Sequence, residues 1–260
     1  MDTRIWNKEI SVIKVGGAVV EDAASLTTLL DAFVRTEGPK VLVHGGGRSA
    51  TKMAAQLGIE SRMVDGRRVT DAEMLRVVTM VYGGLVNKNI VAQLQARGCN
   101  ALGLTGADLD LIRAHRRPVT AEGIDFGFVG DVDRADRAML HALLDLGITP
   151  IIAPLTHDGQ GHLLNTNADT MAQTVATALA PGASLTFCFE LSGVLRDPAD
   201  PQTLIPHLNE ADFHALVNDG TIAGGMIPKL QNAFDALRAG VTSVRITSIH
   251  DLTGGTLITP

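Results

Sequence analysis

The strongest constraint on this chain is an alternation: short apolar, β-branched runs keep giving way to stretches of helical period. The runs are ISVIKV (10–15), KVLVH (40–44), ALGLT (101–105), TPIIAPL (149–155), SLTFCF (184–189) and SVRITS (243–248). Apolar along most of their length, they suit parallel strands covered on both faces. Residues 22–36, 48–58, 71–98, 134–147 and 168–180 carry apolar residues three and four apart and are expected to be helices. Strand and helix in turn specify an α/β fold, a three-layer α/β/α sandwich around an open, mainly parallel sheet. With aromatic residues at only 3% of the sequence, Val, Leu, Ile and Ala must fill its core. Residues 115–132, rich in glycine and turn formers, read as a β-excursion over one end of the sheet. The 260 residues are enough for one large domain. APGASL (180–185) is expected to separate its N-terminal lobe, 1–180, from its C-terminal lobe, 181–260.

Several function classes are disfavoured at once. Net charge is −6 with Lys and Arg scattered, so no face is expected to bind nucleic acid or an anionic membrane. No apolar run reaches the length that spans a bilayer, and MDTRIWNKEI lacks an apolar signal core, so a cytoplasmic protein is expected. Cys99 and Cys188 have no metal-ligand spacing and read as two reduced thiols.

In open α/β sheets ligands gather beyond the carboxyl ends of the strands. Four stretches there carry chemistry. In IKVGG, Lys14 ends an apolar strand, and Gly16 and Gly17 follow. An ammonium in that place is costly to bury unless an anion pairs with it; the plain alternative is that it has already left the sheet for water. In VHGGGRSA, Gly45, Gly46 and Gly47 join a strand to a helix, where backbone N–H groups can face an anion. Read as Gly45-x-Gly47-x-x-Ala50, the stretch also fits a loose dinucleotide fingerprint, which would make the protein an NAD-dependent dehydrogenase. That reading needs an acidic residue at the end of the next strand, about 20 positions on. Asp65 has the separation but sits in a turn, and a strand already precedes the glycines, so an anion cradle of another kind is favoured.

In LLNTNADTMAQ, Asn167 is a natural helix N-cap, with Asn165 before it and Asp169 in the first turn. Asp169 can serve the helix dipole alone or, with Asn165, line a site. In IAGGMIPKLQNAF, Gly224 and Gly225 make a turn and Pro228 fits the start of a helix. Lys229 then falls where the dipole disfavours a cation. It is either a solvated surface lysine or the partner of an anion. Two lysines, two glycine turns and one carboxylate suit phosphoryl transfer. Yet neither G-x-x-x-x-G-K-[ST] nor the H-R-D of the protein-kinase set occurs, so a kinase of another design is indicated.

IKVGG, VHGGG, DGRRVTDAE, VNKNIVAQL, GLTGAD, LNTNAD and GGMIPKLQNA occur in this order between residues 13 and 233. Together they resemble the N-acetylglutamate kinases of the amino acid kinase family over nearly the whole chain. Aspartokinases would show K-F-G-G-[TS] at the first strand and uridylate kinases K-[LI]-S-G-E. The resemblance implies ATP-dependent phosphorylation of the γ-carboxylate of N-acetyl-L-glutamate, an early step of arginine biosynthesis. It makes Lys14 and Lys229 the pair that neutralises the transferring phosphoryl group from two sides, and Asp169 the carboxylate that orients them. It gives Gly46 and Gly47 backbone contacts to the acylglutamate and the phosphate, and gives Arg68 and Asn165 the α-carboxylate end. Gly16, Gly17, Gly45 and Gly225 would line the path of ATP and its phosphates. ATP would lie mainly on the C-terminal lobe, with Mg²⁺ carried by the nucleotide and no metal held by the protein. The chemistry is consistent: a free Glu-type carboxyl titrates at about 4.3, so the nucleophile is already ionised at neutral pH and no general base is required.

One departure stands out. Many members of the family carry [ST]-D-V-x-G where this chain has CFELSGVL, placing Phe189 and Glu190 beside the expected adenine or ribose region. That variant resembles a divergent branch, some of whose members act on N-succinylglutamate. A non-catalytic sensor on the same fold would be expected to lose a lysine or the acid, and Lys14, Asp169 and Lys229 are all present. A carrier-linked aminoadipate kinase would call for a basic docking face, which the net charge opposes. The resemblance divides the family into arginine-inhibited hexamers, with an added helix before the first strand, and insensitive dimers. MDTRIWNKE is too short for such a helix, since isolated helices under about 12 residues are marginal. A homodimer insensitive to arginine is therefore expected, formed by the N-terminal lobe. Leu75, Val78, Met80, Val81, Leu85 and Ile90 are one candidate surface, unless they face the core.

Overall fold

A computed structural model describes residues 8–64 and 66–260. Its frame is one eight-stranded sheet made of β1 (Ile10–Val15), β2 (Lys40–His44), β5 (Ala101–Leu104), β8 (Thr149–Ile152), β11 (Ala183–Phe189), β12 (His207–Leu208), β13 (Ser243–Ser248) and β14 (Thr256–Ile258). The order is β12-β14-β13-β11-β1-β2-β8-β5, parallel except between β13 and β14. All six apolar runs of the sequence are in this sheet. The run 149–155 is cut short because Pro154, without an N–H, interrupts it, and Leu155 opens a strand of a second sheet. That smaller sheet joins β6 (Ile112–Arg116), β7 (Gly130–Ala135), β9 (Leu155–His157) and β10 (Leu163–Asn165), in the order β10-β9-β6-β7. The excursion expected over 115–132 is thus larger and draws on later chain. A hairpin of β3 (Met63–Val64) and β4 (Arg67–Arg68) stands apart.

Helices cover both faces. α1 (Gly17–Glu21), α2 (Ala23–Arg35), α3 (Gly47–Gln56), α4 (Ala72–Val78) and α5 (Asn87–Gln95) pack on one core; α6 (Arg137–Asp145), α7 (Ala168–Leu179), α8 (Glu210–Asn218) and α9 (Met226–Arg238) pack on the other. Leu26, Leu29, Leu30 and Phe33 form the buried stripe of α2 at the i, i+3, i+4, i+7 spacing. Fully burying Phe33 contributes roughly 2–3 kcal/mol. Asp22, Asp71, Asp136, Asn167 and Asn209 cap α2, α4, α6, α7 and α8 through their side chains, typically worth about 1 kcal/mol each. The helix expected from residue 134 begins at Arg137 because β7 runs to Ala135.

Residues 72–95 form one helical run in which α4 and α5 flank a π-helical stretch, Thr79–Val86. Val78, Val81 and Ile90 are buried in the core, Leu75 packs against it, and only Met80 and Leu85 are exposed, at 53% and 60%. The candidate contact surface therefore shrinks to Met80 and Leu85. The other positions follow the ordinary rule that an amphipathic helix turns its apolar stripe inward. Residues 1–7, on which the expectation about arginine largely rests, lie outside the described residues, as does Asp65.

Strand parity decides which side chains meet at the carboxyl edge of the sheet. In β1, Ile10 and Val12 belong to the core under α6–α9, whereas Ile13 and Val15 belong to the core under α1–α5. Lys14 continues the first face, toward α7 and α9. In β11, Ala183, Leu185 and Phe187 share that face, and Phe189 follows them. β11 pairs directly with β1, Lys14 beside Phe187, so the sheet runs unbroken across the segment 180–185.

Candidate active site

The even face of β1 ends on Lys14, whose side chain is only 7% exposed. Its Nζ lies 2.6 Å from Oδ1 of Asp169, and Nζ of Lys229 lies 3.5 Å from Oδ2. Asp169 is held there by the start of α7: Asn167 caps the helix by accepting from the backbone N–H of Asp169 and Thr170. Lys229 comes from the first turns of α9, with Pro228 beside it. Oδ1 has no aligned hydrogen-bond donor, so charge more than directed bonding draws Lys14 to it. Burial alone would push the Asp169 carboxyl up; Lys14 and then Lys229 outweigh it and hold the group below the usual carboxylate range. One carboxylate thus serves two ammonium groups, which leaves a net positive charge facing the hollow.

Beside this trio two glycine turns meet. β1 runs into Gly16 and Gly17, and β2 into Gly45, Gly46 and Gly47. A Cβ on Gly45 would stand 3.1 Å from the Gly17 nitrogen, and one on Gly17 would stand 3.5 Å from the nitrogens of Gly46 and Gly47. The turns pack backbone against backbone, leaving N–H groups at the start of α3 near the lysines. Gly46 has a second reason to lack a side chain: its Cβ would lie 2.9 Å from the Tyr82 ring.

A cavity of about 190 Å³ opens next to the cradle, bounded by Gly45–Gly47, Arg68, Tyr82 and Asn165. Gly47 lines both this cavity and the hollow holding Lys14, Phe189 and Lys229. Buried Arg68 donates through Nη2 to the Gly47 carbonyl at 2.8 Å and to Thr51 Oγ1 at 2.9 Å, and through Nη1 to Ser61 Oγ. Asn165 donates to Thr70 Oγ1 at 2.9 Å. Half-buried Arg67 lines the same cavity, and among the described residues its side chain has no hydrogen-bonded or ion-pair partner. Burial, then the neighbouring Arg117, pulls its pKa down, with Asp131 opposing; that carboxylate is already bound to Arg117.

Residues 9–248 match the amino acid kinase family. The chain belongs to the amino acid kinase family. It is 61% identical over 242 residues to the acetylglutamate kinase of Bacteroides thetaiotaomicron, covering 92% of this chain and 93% of that one. To the acetylglutamate kinase of Bacteroides fragilis it is 59% identical over 256 residues, covering 96% and 97%. A solved structure from Streptococcus mutans superposes with a TM-score of 0.79 at 29% identity, covering 96% of this chain and 98% of that one.

For this family member, the residues singled out in the sequence come together, Gly225 excepted. Lys14, Asp169 and Lys229 converge, as do Gly16, Gly17, Gly45, Gly46, Gly47, Arg68 and Asn165. Gly225 does not join them: it precedes α9 at φ −65°, a Cβ there would meet nothing, and it lines neither cavity. The glycine its turn demands is Gly224, at φ +56°. Phe189 lies over the lysines, its ring centroid 4.8 Å from Lys14 Nζ and 5.0 Å from Lys229 Nζ.

Sequence reasoning missed the support of the cradle. The Ile151 carbonyl can only accept, so Asn87 must turn Nδ2 toward it, at 2.9 Å. The same amide then donates to His44 Nε2 at 3.1 Å, which leaves Nδ1 to carry the ring proton and donate to the Gly45 carbonyl at 2.7 Å. Burial pulls the His44 pKa down to about 4, the Gly45 bond opposing it, so the ring is neutral. Gly103 leaves room for this network, since its Cβ would fall 1.9 Å from Asn87 Oδ1. Asn87 and His44 are 43 residues apart, and only the V-N-K-N context of Asn87 marks it in the sequence.

Proposed function

We propose that the protein transfers the γ-phosphoryl group of ATP to the γ-carboxylate of N-acetyl-L-glutamate, forming N-acetyl-L-glutamyl 5-phosphate for arginine biosynthesis. The observation that carries this reading is the Lys14–Asp169–Lys229 trio set against a double glycine turn, with Arg68 and Asn165 in the adjoining cavity. A carboxylate oxygen attacks the γ-phosphorus, the bond to the β–γ bridging oxygen breaks, and ADP leaves; no proton changes hands. The obstacle is repulsion between anions. Lys14 and Lys229 approach the transferring group from β1 and α9, and the N–H groups of Gly46 and Gly47 donate to its oxygens. Arg68 and Asn165 hold the α-carboxylate end.

The nucleotide is assigned to the C-terminal segment after residue 180, in a hollow of about 380 Å³ between residues 191–198 and 220–226. Among the described residues no cluster of three or more His, Cys, Asp or Glu side chains could hold a metal ion. Mg²⁺ is assigned to the nucleotide phosphates, where it would add to the neutralising charge. The acylglutamate belongs to the segment before residue 180. No helix among the described residues is long and apolar enough to cross a membrane, and a cytoplasmic protein with no nucleic-acid partner fits this metabolic role. A homodimer insensitive to arginine is proposed, with exposed Met80 and Leu85 at its contact. Light scattering of the wild type and of Leu85→Glu, with and without arginine, tests it.

A second reading, N-succinyl-L-glutamate as acceptor with the same mechanism, is favoured by Arg67. A half-buried guanidinium without a partner among the described residues, next to the α-carboxylate site, suits an acyl group that itself ends in a carboxylate. ADP release measured with N-acetyl-, N-succinyl- and unmodified glutamate tests both. The main reading expects the acetyl compound to give the highest kcat/KM. A higher value for the succinyl compound, abolished in Arg67→Ala, selects the second. Equal turnover with unmodified glutamate contradicts both.

A further inference from the structure

The two ammonium groups of the site have one carboxylate between them. Lys14 is almost wholly buried, and Glu190, which follows β11 and borders the same hollow, is largely exposed and stands 3.8 Å from Arg48. The remaining positive charge meets the face of an aromatic ring. Phe189 presents that face to both lysines, at 4.8 and 5.0 Å. Its place follows from strand parity. Lys14 is registered beside Phe187, and Phe189, two residues further on the same face, reaches past the end of β1 over the lysine head groups. The ring is held there by Phe187, itself fully buried, whose ring lies nearly parallel to it at 6° with centroids 6.3 Å apart.

We propose that Phe189 is a positioning residue for phosphoryl transfer: its ring face holds Lys14 and Lys229 together at the place where the phosphoryl group passes. This rests on the reaction proposed above. The ring's quadrupole attracts a cation over its face, but more weakly than a second carboxylate would. A carboxylate would also neutralise the excess charge, yet it would compete with the phosphoryl oxygens for the same ammonium protons. An aromatic face has no lone pair to compete with. It lets both cations turn toward the substrate while it helps to keep water off Lys14. Simple packing would need only an apolar side chain of similar volume, and the two roles make different predictions.

Replacing Phe189 by phenylalanines with one, two and three fluorines preserves shape while draining the electron density of the ring face. If the ring holds the cations, kcat falls stepwise with each fluorine, to about a tenth with three, while the KM for acylglutamate changes little. Phe189→Leu falls at least as far, and Phe189→Tyr recovers most of the activity. A flat kcat across the fluorine series overturns the proposal. NMR relaxation of the lysine ε-methylene groups gives a readout that needs no turnover. Both lysines should become more mobile as fluorines are added, and unchanged order in the trifluoro protein overturns the proposal equally. A wild type that releases no ADP with any acylglutamate would instead refute the reaction, with the NMR series still deciding what the ring does.

Discussion

Asp169→Asn removes the charge shared by two lysines and changes little else in shape. Because the carboxyl is held below its usual range, its stabilising contribution is complete above the unfolded value near 4 and is lost only as pH falls through the lower folded value. At pH 7 the variant therefore loses all of it. Breaking a buried pair costs about 3–5 kcal/mol. The Lys14 contact, 2.6 Å between groups 7% and 11% exposed, belongs to that class. The Lys229 contact, 3.5 Å to a group 27% exposed, adds less. About 3 kcal/mol at a chain of this size lowers Tm by roughly 6–12 °C. The variant's lysines, freed from competition, should bind polyanions better. Pyrophosphate should then raise its Tm by more than it raises that of the wild type. Turnover should still fall by at least about a hundredfold, since the lysines lose their orientation. Thermal scans with and without pyrophosphate, beside ADP-release assays, read all three. A Tm within about 2 °C of the wild type, or equal pyrophosphate shifts, would refute the shared-charge account.

Lys14→Ala and Lys229→Ala should each cut kcat about a hundredfold or more with the fold kept; near-normal turnover of either purified variant removes that lysine from the mechanism. Arg68→Ala should raise the KM for acylglutamate far more than that for ATP, because a guanidinium fork suits a carboxylate, and an equal rise in both would show the assignment wrong. His44 makes a prediction about acid. Its folded pKa, about 4, lies below the unfolded value near 6.5, so its contribution is present above pH 6.5 and fades as pH falls toward 4. Between pH 7 and pH 5 the wild type should lose about 2 kcal/mol more stability than His44→Phe does, as read by urea unfolding; parallel losses would mean that His44 is not buried neutral.

Much of the frame was legible because it is local. Apolar runs marked six strands, and Asn167 marked a helix start as its N-cap, since both depend on neighbours along the chain. Lys14 was legible for the same reason, as a charge at the end of an apolar strand followed by glycines. The edge strands β12 and β14, two and three residues long, are too short for a period to register. What was hidden depends on distant contacts. Asn87 reaches His44 and Ile151 only once the sheet has formed, and Tyr82 meets Gly46 only across the packed α4–α5 run. The contact of Phe189 with both lysines was hidden too, because its neighbours are set by the β1–β11 register, which a linear motif does not contain. Residues 71–98 carry apolar positions on several sides, so only packing could separate Val78, Val81 and Ile90 from exposed Met80 and Leu85.

The central claim is that the acceptor is a carboxylate oxygen, and isotope transfer tests it most directly. N-acetyl-L-glutamate labelled with ¹⁸O in the γ-carboxylate is incubated with the protein, ATP, Mg²⁺ and hydroxylamine, and the released phosphate is analysed by mass spectrometry. Attack by the carboxylate makes its oxygen the bridge to phosphorus, and hydroxylamine then takes the acyl carbon. The account predicts a hydroxamate together with phosphate that carries one ¹⁸O. Unlabelled phosphate with no hydroxamate would contradict it, because the phosphoryl group would then have passed to water.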